Sequence, residues 1–333
     1  MFLLASPALA GGATGKSPAG QTLFKITKLV SDQAGKAKNQ DPNLVNAWGM
    51  SQLPGGPVWV SDNGTGLSTV YDQGTGVNTG LVVTIPGGTP TGNVYATGGF
   101  QISENGKNGN AEFIFATEAG IISGWNSSVD EANAVLAYDG SAKGSVYKGL
   151  ALDTKNKLLF AADFTNNQVQ VFDSNWNVTG SFTDTHLKGY APFNVAVING
   201  EVYVAFAKQA KKCCDEVDKL GDGYIDVFDE SGKLVTHLAA KGELDAPWGM
   251  TIAPSTFGTF AGALLVGNFG NGWINAYDAK TGSYLGWLDD TKGAPLAIDG
   301  LWGLDPVPNG EVTFAAGPRK ESHGLLGLIS AKK

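Results

Sequence analysis

A short segment marked by Gly or Trp recurs six times at a spacing of roughly 50 residues. The spacing constrains the fold more than any other feature of the sequence. The clearest copies lie at residues 45–50, 246–250 and 300–304, and weaker copies lie at 98–101, 147–151 and 191–195. Repeats of this length are typical of stacked units such as β-propeller blades, which cannot fold singly.

Each copy is followed by two apolar segments that are rich in β-branched and aromatic residues and are separated by Gly, Asn or Asp. This pattern predicts strands joined by hairpins. Examples are residues 58–62 with 70–72, 159–163 with 169–173, and 264–268 with 273–278. Residues 129–137 fit a helical turn or a loop equally well. We therefore predict an all-β, six-bladed β-propeller that forms a single domain over residues 21–333.

The ring of blades needs a closing strand. We expect the last repeat to be one strand short, since the chain ends within three residues of Ser330. Residues 23–30 alternate apolar and polar side chains ahead of the first repeat. Because an incomplete propeller leaves unpaired strand edges, we predict that this N-terminal segment completes the last blade.

The first 20 residues resemble the end of a secretory signal peptide followed by a flexible leader. An apolar run ends in Ala8-Leu9-Ala10, and Gly, Ser and Pro follow as far as Gly20. We therefore expect a secreted or periplasmic protein. The apolar segments after the leader are too short to span a membrane, so we expect no membrane span. The net charge of −8 argues against nucleic acid as a partner.

The two cysteines, Cys213 and Cys214, are neighbours in the repeat-four insertion. Three states are compatible with this spacing: free or incidentally oxidised thiols, a disulfide between the two, or metal binding and intermolecular pairing.

Polar residues recur where strands are expected to reach the mouth of a central channel, which is where propellers usually bind ligands. We predict ligand contacts from Asn46, Asp62, Asn63, Glu118, Asp163, Asn194 and Asn268. Such residues also satisfy turns and strand ends. Two other interpretations of these residues are a cation bound in the channel and acid–base chemistry by Glu118 or Asp163.

The favoured function is a binding or interaction module for a small polar ligand, an extracytoplasmic protein or a glycan. The alternative is a cation-dependent lactonase or phosphoesterase. It would use Ca²⁺ or another divalent cation held by Glu118, Asp163 and Asn194, with Asp299 or His323 as the proton acceptor. His186 and His237 fall near the ends of outer strands and are expected to be solvated.

Three tryptophans, Trp48, Trp248 and Trp302, occupy the same position in their repeats. The shared position indicates a repeated packing role between blades.

Several long motifs resemble a family of secreted bacterial β-propeller proteins, some of which carry a PEP-CTERM sorting tail. They lie at residues 41–49, 60–68, 113–118, 147–151, 223–229, 246–250, 264–270 and 298–304. The resemblance covers nearly everything after about residue 25. It implies the fold and export, and it implies no activity.

Overall fold

The computed structural model describes residues 20–211 and 214–332, and within these ranges the chain is all-β with no α-helix. Two short 3₁₀ turns, Ser141–Lys143 and Gly258–Phe260, interrupt the strands. The leader expected at residues 1–20 lies outside the described residues except for Gly20, and so does Cys213.

The strands of the first half are β1 (Phe24–Ser31), β2 (Asn39–Gln40), β3 (Ala47–Gln52), β4 (Val58–Asp62), β5 (Leu67–Tyr71), β6 (Asn78–Thr84), β7 (Pro90–Tyr95), β8 (Gln101–Glu104), β9 (Lys107–Asn110), β10 (Phe113–Thr117), β11 (Ile121–Asn126), β12 (Asp130–Asp139), β13 (Tyr147–Asp153) and β14 (Leu158–Asp163). Those of the second half are β15 (Gln168–Phe172), β16 (Val178–Phe182), β17 (Tyr190–Ile198), β18 (Glu201–Lys208), β19 (Gly223–Phe228), β20 (Leu234–Ala240), β21 (Pro247–Ile252), β22 (Leu264–Asn268), β23 (Ile274–Tyr277), β24 (Tyr284–Trp287), β25 (Leu301–Pro306), β26 (Val312–Ala316) and β27 (Leu325–Ala331).

The strands form antiparallel groups that follow one another along the chain. Three separate four-stranded sheets are β13–β16, β17–β20 and β21–β24. Two further groups, β3–β6 and β7 with β10–β12, are joined into one eight-stranded sheet by a single parallel bridge between Thr84 and Asn133. The last group contains β25–β27 together with β1 and β2, and β8 pairs only with β9.

The first strands of the groups, β3, β7, β13, β17, β21 and β25, form a closed ring, since each contacts the next and β25 contacts β3. Small residues allow this close approach. A Cβ added at Gly49 would lie 2.5 Å from a backbone oxygen of β7, and one added at Gly303 would lie 2.6 Å from a backbone oxygen of β3. In β17 the equivalent residue is Asn194, whose Nδ2 donates a 2.8 Å hydrogen bond to the Trp248 carbonyl oxygen of β21.

A β-bulge interrupts the register of each of these first strands close to the small residue. Bulges change the direction of a side chain relative to the regular pleat. The close-approach positions are Gly49, Gly92, Gly149, Asn194, Gly249 and Gly303, and the residues immediately before them are Trp48, Thr91, Lys148, Phe193, Trp248 and Trp302. Four of these, the three tryptophans and Phe193, pack in one buried cluster.

The N-terminal strand β1 closes the last group. It pairs antiparallel with β27 from Phe24, opposite Ala331, to Ser31, opposite Leu325. Phe24 is fully buried, and its ring lies 5.1 Å from that of Phe257 and 6.1 Å from that of Phe260, both of which precede β22. The pairing of the N-terminal segment with the last strand therefore agrees with the prediction.

We expect Gly303→Ala to destabilise the protein by about 1–3 kcal/mol, because the added methyl group forces two backbones apart. Gly180→Ala is the matched control, since Gly180 lies in β16 with no atom within 4 Å of its added Cβ. Urea denaturation of both variants measures the difference. Equal midpoints would show that the ring tolerates a wider spacing.

We expect Phe24→Ala to lower the free energy of unfolding by about 3–5 kcal/mol through loss of buried contacts, and deletion of residues 21–31 to abolish the cooperative thermal transition. Lys25→Ala, at an exposed position of the same strand, is the control. A normal transition after the deletion would contradict the closing role of β1.

Candidate functional site

The ring of first strands surrounds a channel with two chemically different ends. At the starts of these strands, near Asn46 and Lys148, polar side chains form a hydrogen-bonded network, which we call the polar mouth. Towards their ends, near Gln52 and Asp305, the strands enclose a cavity. Trp48, Trp248 and Trp302, which lie at the β-bulges, are between these two regions along the strands.

The polar mouth is a continuous chain of contacts across the channel. Lys148 Nζ lies 2.7 Å from Glu118 Oε1, and Asn63 Nδ2 donates to Glu118 Oε2 at 2.9 Å. Asn46 Nδ2 donates both to Asn63 Oδ1 at 3.1 Å and to Glu321 Oε2 at 2.7 Å. Three residues of the predicted site, Asn46, Asn63 and Glu118, are thus brought together.

A layer of three tryptophan rings contacts the polar mouth. The rings of Trp48 and Trp302 stack with centroids 3.5 Å apart, and Trp248 meets both rings edge-on. Trp302 Nε1 donates to Asn46 Oδ1 at 3.1 Å, and Trp248 Nε1 donates to the Lys148 carbonyl oxygen at 2.9 Å. The three tryptophans lie on β3, β21 and β25, which belong to three different strand groups, so the expected packing between repeats is present and takes place at the channel.

Buried charge dominates the electrostatics of the mouth. The Lys148 side chain is 4% exposed, and its Nζ lies 5.2 Å from the centre of the Trp48 ring. Burial opposes the charge of Lys148, but Glu118 and Glu216 outweigh that effect, so the pKa of Lys148 is raised. Burial raises the pKa of Glu216 to about 7, although Lys148 acts against the shift.

A left-handed backbone segment places Glu321 at the mouth. Arg319, Lys320 and Glu321 have φ values of 57°, 56° and 64°. A non-glycine residue with this left-handed backbone conformation destabilises the fold by about 1–2 kcal/mol. Backbone strain of this kind is concentrated at functional sites. His323 of the same loop, between β26 and β27, was a candidate from sequence, whereas Glu321 is a residue of the site that the sequence analysis did not single out.

The cavity beyond the tryptophans has a volume of about 340 Å³ and is lined by all six first strands. Its polar lining residues are Ser51, Gln52, Asn93, Asn194 and Asp305. Gln52 Nε2 donates to Asp305 Oδ2 at 3.0 Å. Burial raises the pKa of Asp305 to about 7, which the Gln52 hydrogen bond partly opposes. The carboxyl group can therefore donate or accept a proton near neutral pH.

Asp62, Asp163 and Asn268, also predicted to contact a ligand, bond to other parts of the chain. Asp62 accepts from Thr69 Oγ1 at 2.8 Å, and burial raises its pKa. Asp163 accepts from Val146 N, Asn166 Nδ2 and Gln168 Nε2. Asn268 donates to Glu243 O. These contacts support strand ends and turns, and a ligand role for the three residues stays a prediction.

The residues of the predicted hydrolase are dispersed among different partners. Glu118 pairs with Lys148, and Asp163 accepts hydrogen bonds from the turns beside it. Asn194 donates a hydrogen bond to β21 and lines the cavity. Asp299 Oδ2 accepts from the Arg319 backbone N at 2.8 Å, and His323 Nδ1 lies 2.7 Å from Asp32 Oδ2. A calcium site and a proton acceptor among these residues stay predictions.

Cys214 is disulfide-bonded. A free Cys214 thiol, which was one of the states considered for the cysteine pair, is therefore inconsistent with the structure.

No protein-family model matches the chain. It is 31% identical over 323 residues to Uncharacterized protein R648 of Acanthamoeba polyphaga mimivirus, an alignment covering 92% of this chain and 80% of the relative. It is 32% identical over 326 residues to Uncharacterized protein L690 of the same virus, covering 92% and 85%. The chain belongs to the family of these mimivirus proteins. The expected membership of a bacterial family of secreted propellers is therefore wrong, because these relatives are viral.

Two solved structures share the fold over nearly their whole length. The WD40 β-propeller domain of Doa1 has a TM-score of 0.54 and 11% identity, and streptogramin B lyase has a TM-score of 0.55 and 11% identity. Each match covers 93% of this chain and 98% of the other. The predicted all-β, propeller-like fold is confirmed. Within residues 20–211 and 214–332, no helix is long and apolar enough to cross a membrane.

We expect the Glu216→Gln variant to lose part of the pH dependence of stability. Because the pKa of Glu216 is about 7 in the fold against an ordinary value of 4.5, the folded state holds the proton more tightly than the unfolded state. Its contribution is therefore greatest at low pH and falls as the pH rises from about 4.5 to about 7.

Thermal melts between about pH 4.5 and pH 8 measure this contribution. The fall in melting temperature with pH should be shallower in Glu216→Gln than in wild type, while Glu131→Gln, at an exposed position, should follow wild type. Superimposable profiles for Glu216→Gln and wild type would contradict the raised pKa.

Proposed function

We propose that this protein is a six-bladed β-propeller that acts as a binding module and takes a small polar ligand in the cavity of its channel. The closed ring of six first strands supports the number of blades, and the pairing of β1 with β27 supports closure through the N-terminal strand.

The cavity is the observation that carries the proposal. Its volume of about 340 Å³ falls in the range of small-molecule sites, and its lining mixes apolar residues such as Met50, Leu150 and Met250 with a few polar groups. Because every first strand contributes to the lining, the ring holds these groups in fixed positions. Rigid support of this kind lowers the entropic cost of binding.

The polar groups favour a ligand with hydrogen-bond donors. Asp305 accepts when ionised, and the side-chain oxygens of Gln52 and Ser51 are further acceptors at the same end of β3. A small amine or polyol would satisfy these groups. An organic acid would place a second negative charge beside Asp305, which is unfavourable once Asp305 is ionised.

The polar mouth fits a supporting role better. The side chains of Asn46, Asn63 and Glu118 already bond to one another and to Lys148 and Glu321. A ligand there would have to replace existing contacts. We infer that the mouth and the tryptophans close one end of the channel, so that the ligand enters from the end near Asp305.

We also propose that the protein works in a secreted or other extracytoplasmic location. The apolar Ala-x-Ala pattern of the leader supports export. The disulfide at Cys214 also supports it, because disulfides persist mainly in oxidising compartments.

Binding can be tested with a panel of small amines, polyols and organic acids, monitored by melting temperature and by intrinsic tryptophan fluorescence, to which Trp248 in the cavity lining contributes. We expect amines and polyols to raise the melting temperature. Amine binding should strengthen as the pH rises through about 7, because Asp305 then becomes ionised. The Asp305→Asn variant should lose this pH dependence, and Glu131→Gln should keep it.

A panel without any stabilising compound would contradict the cavity as a ligand site. Amine binding that is the same in Asp305→Asn and wild type would contradict the role of Asp305.

A further inference from the structure

A second cluster of ligand-type side chains lies away from the channel, between two neighbouring sheets. Asp226 lies on β19 and is the direct cross-strand partner of His237 on β20. Asp184 follows β16 of the preceding sheet by two residues. One potential ligand atom from each residue lies within 4.8 Å of the other two, and this is the only such group of three that the described ranges contain.

The distances within the cluster fit ligands of one metal ion. His237 Nδ1 lies 3.0 Å from Asp226 Oδ1 and 3.5 Å from Asp184 Oδ2. Two ligands bound tetrahedrally at about 2.1 Å from a zinc ion lie about 3.4 Å apart. The side chains therefore need little movement to surround an ion.

Two buried oxygens of the cluster lack a hydrogen-bond partner. They are Asp184 Oδ2 and Asp226 Oδ2, and the two residues are 3% and 0% exposed. Leaving a buried carboxylate oxygen unpaired is costly, and buried charges are normally paired or bind metals. A cation between the carboxylates would satisfy both oxygens at once.

We propose that Asp184, Asp226 and His237 bind one divalent transition-metal ion of the zinc class. The imidazole nitrogen selects zinc and similar metals over calcium, which takes six to eight oxygen ligands. Three protein ligands leave a fourth position for water. That position faces solvent, since the His237 side chain is 52% exposed.

The surrounding groups suit this role. His186 approaches Asp184 on its other oxygen, with Nδ1 2.9 Å from Oδ1, and the His186 backbone N donates to the same oxygen at 2.8 Å. Such outer contacts orient a carboxylate ligand. The bound ion would link the loop after β16 to β19 and β20, and so join two adjacent sheets.

The competing explanation is a pair of carboxyl groups that share one proton. Burial raises the pKa of Asp226, and the neighbouring Asp184 adds to the shift. Shared protonation would satisfy the same oxygens without an ion. The two explanations differ in what zinc does to the protein.

The test uses the full chain after treatment with a chelator, titrated with Zn²⁺ by calorimetry and with Co²⁺ by visible absorption. We expect one ion per chain, a Co²⁺ spectrum typical of low coordination number and a higher melting temperature with Zn²⁺. The His237→Gln and Asp226→Asn variants should bind Zn²⁺ at least about a hundredfold more weakly.

His323→Gln is the matched control, because His323 also contacts an aspartate, Asp32, but is not part of a group of three ligands. It should bind Zn²⁺ as wild type does. If wild type binds no Zn²⁺ and its melting temperature does not change, the proposal is overturned in favour of the shared proton. Equal binding by wild type, His237→Gln and Asp226→Asn also overturns it. The wild-type titration can overturn the proposal even if one variant fails to fold, and the other variant then locates the ion.

Discussion

The close approach of the first strands is the constraint on which the rest of the structure depends. At positions such as Gly92 and Gly303, the backbone of one strand occupies the space that a Cβ atom would need on the next. The ring can close at this radius only with such small residues or with Asn194, whose amide replaces the missing contact by a hydrogen bond. The bulge beside each of these residues changes the direction of the preceding side chain, and in four of the six strands that side chain is an aromatic ring of one buried cluster.

Those side chains divide the channel. Stacking of Trp48 on Trp302 fills its centre, and their burial lowers the local dielectric around the ion pair of Lys148 and Glu118. In this pair only Lys148 is fully buried, and its partner Glu118 accepts a further hydrogen bond from Asn63, which helps to offset the loss of solvation. On the other side of the same tryptophans the channel is open enough for a cavity. The layer of tryptophans thus separates a closed polar end of the channel from an open end with different chemistry.

The strands could be predicted well from sequence because their apolar alternation and turn residues are local signals. Val58–Asp62 and Leu264–Asn268 are strands as expected, and the N-terminal segment pairs with the last strand. Residues 129–137 were ambiguous, since their short polar and apolar residues suit several conformations. They lie within β12 apart from Val129, because pairing with β11 satisfies their backbone groups.

The candidate sites show where sequence ceases to be informative. The repeat by itself determined the all-β fold and brought Asn46, Asn63 and Glu118 to one end of the channel, because repeat position fixes where a strand ends. Only the tertiary structure decided that Glu216 and Glu321 join them, and that His237 lies beside Asp184 of another sheet. Those contacts depend on loop paths and on the packing of one sheet against the next, and residues far apart in sequence carry no periodic signal of either.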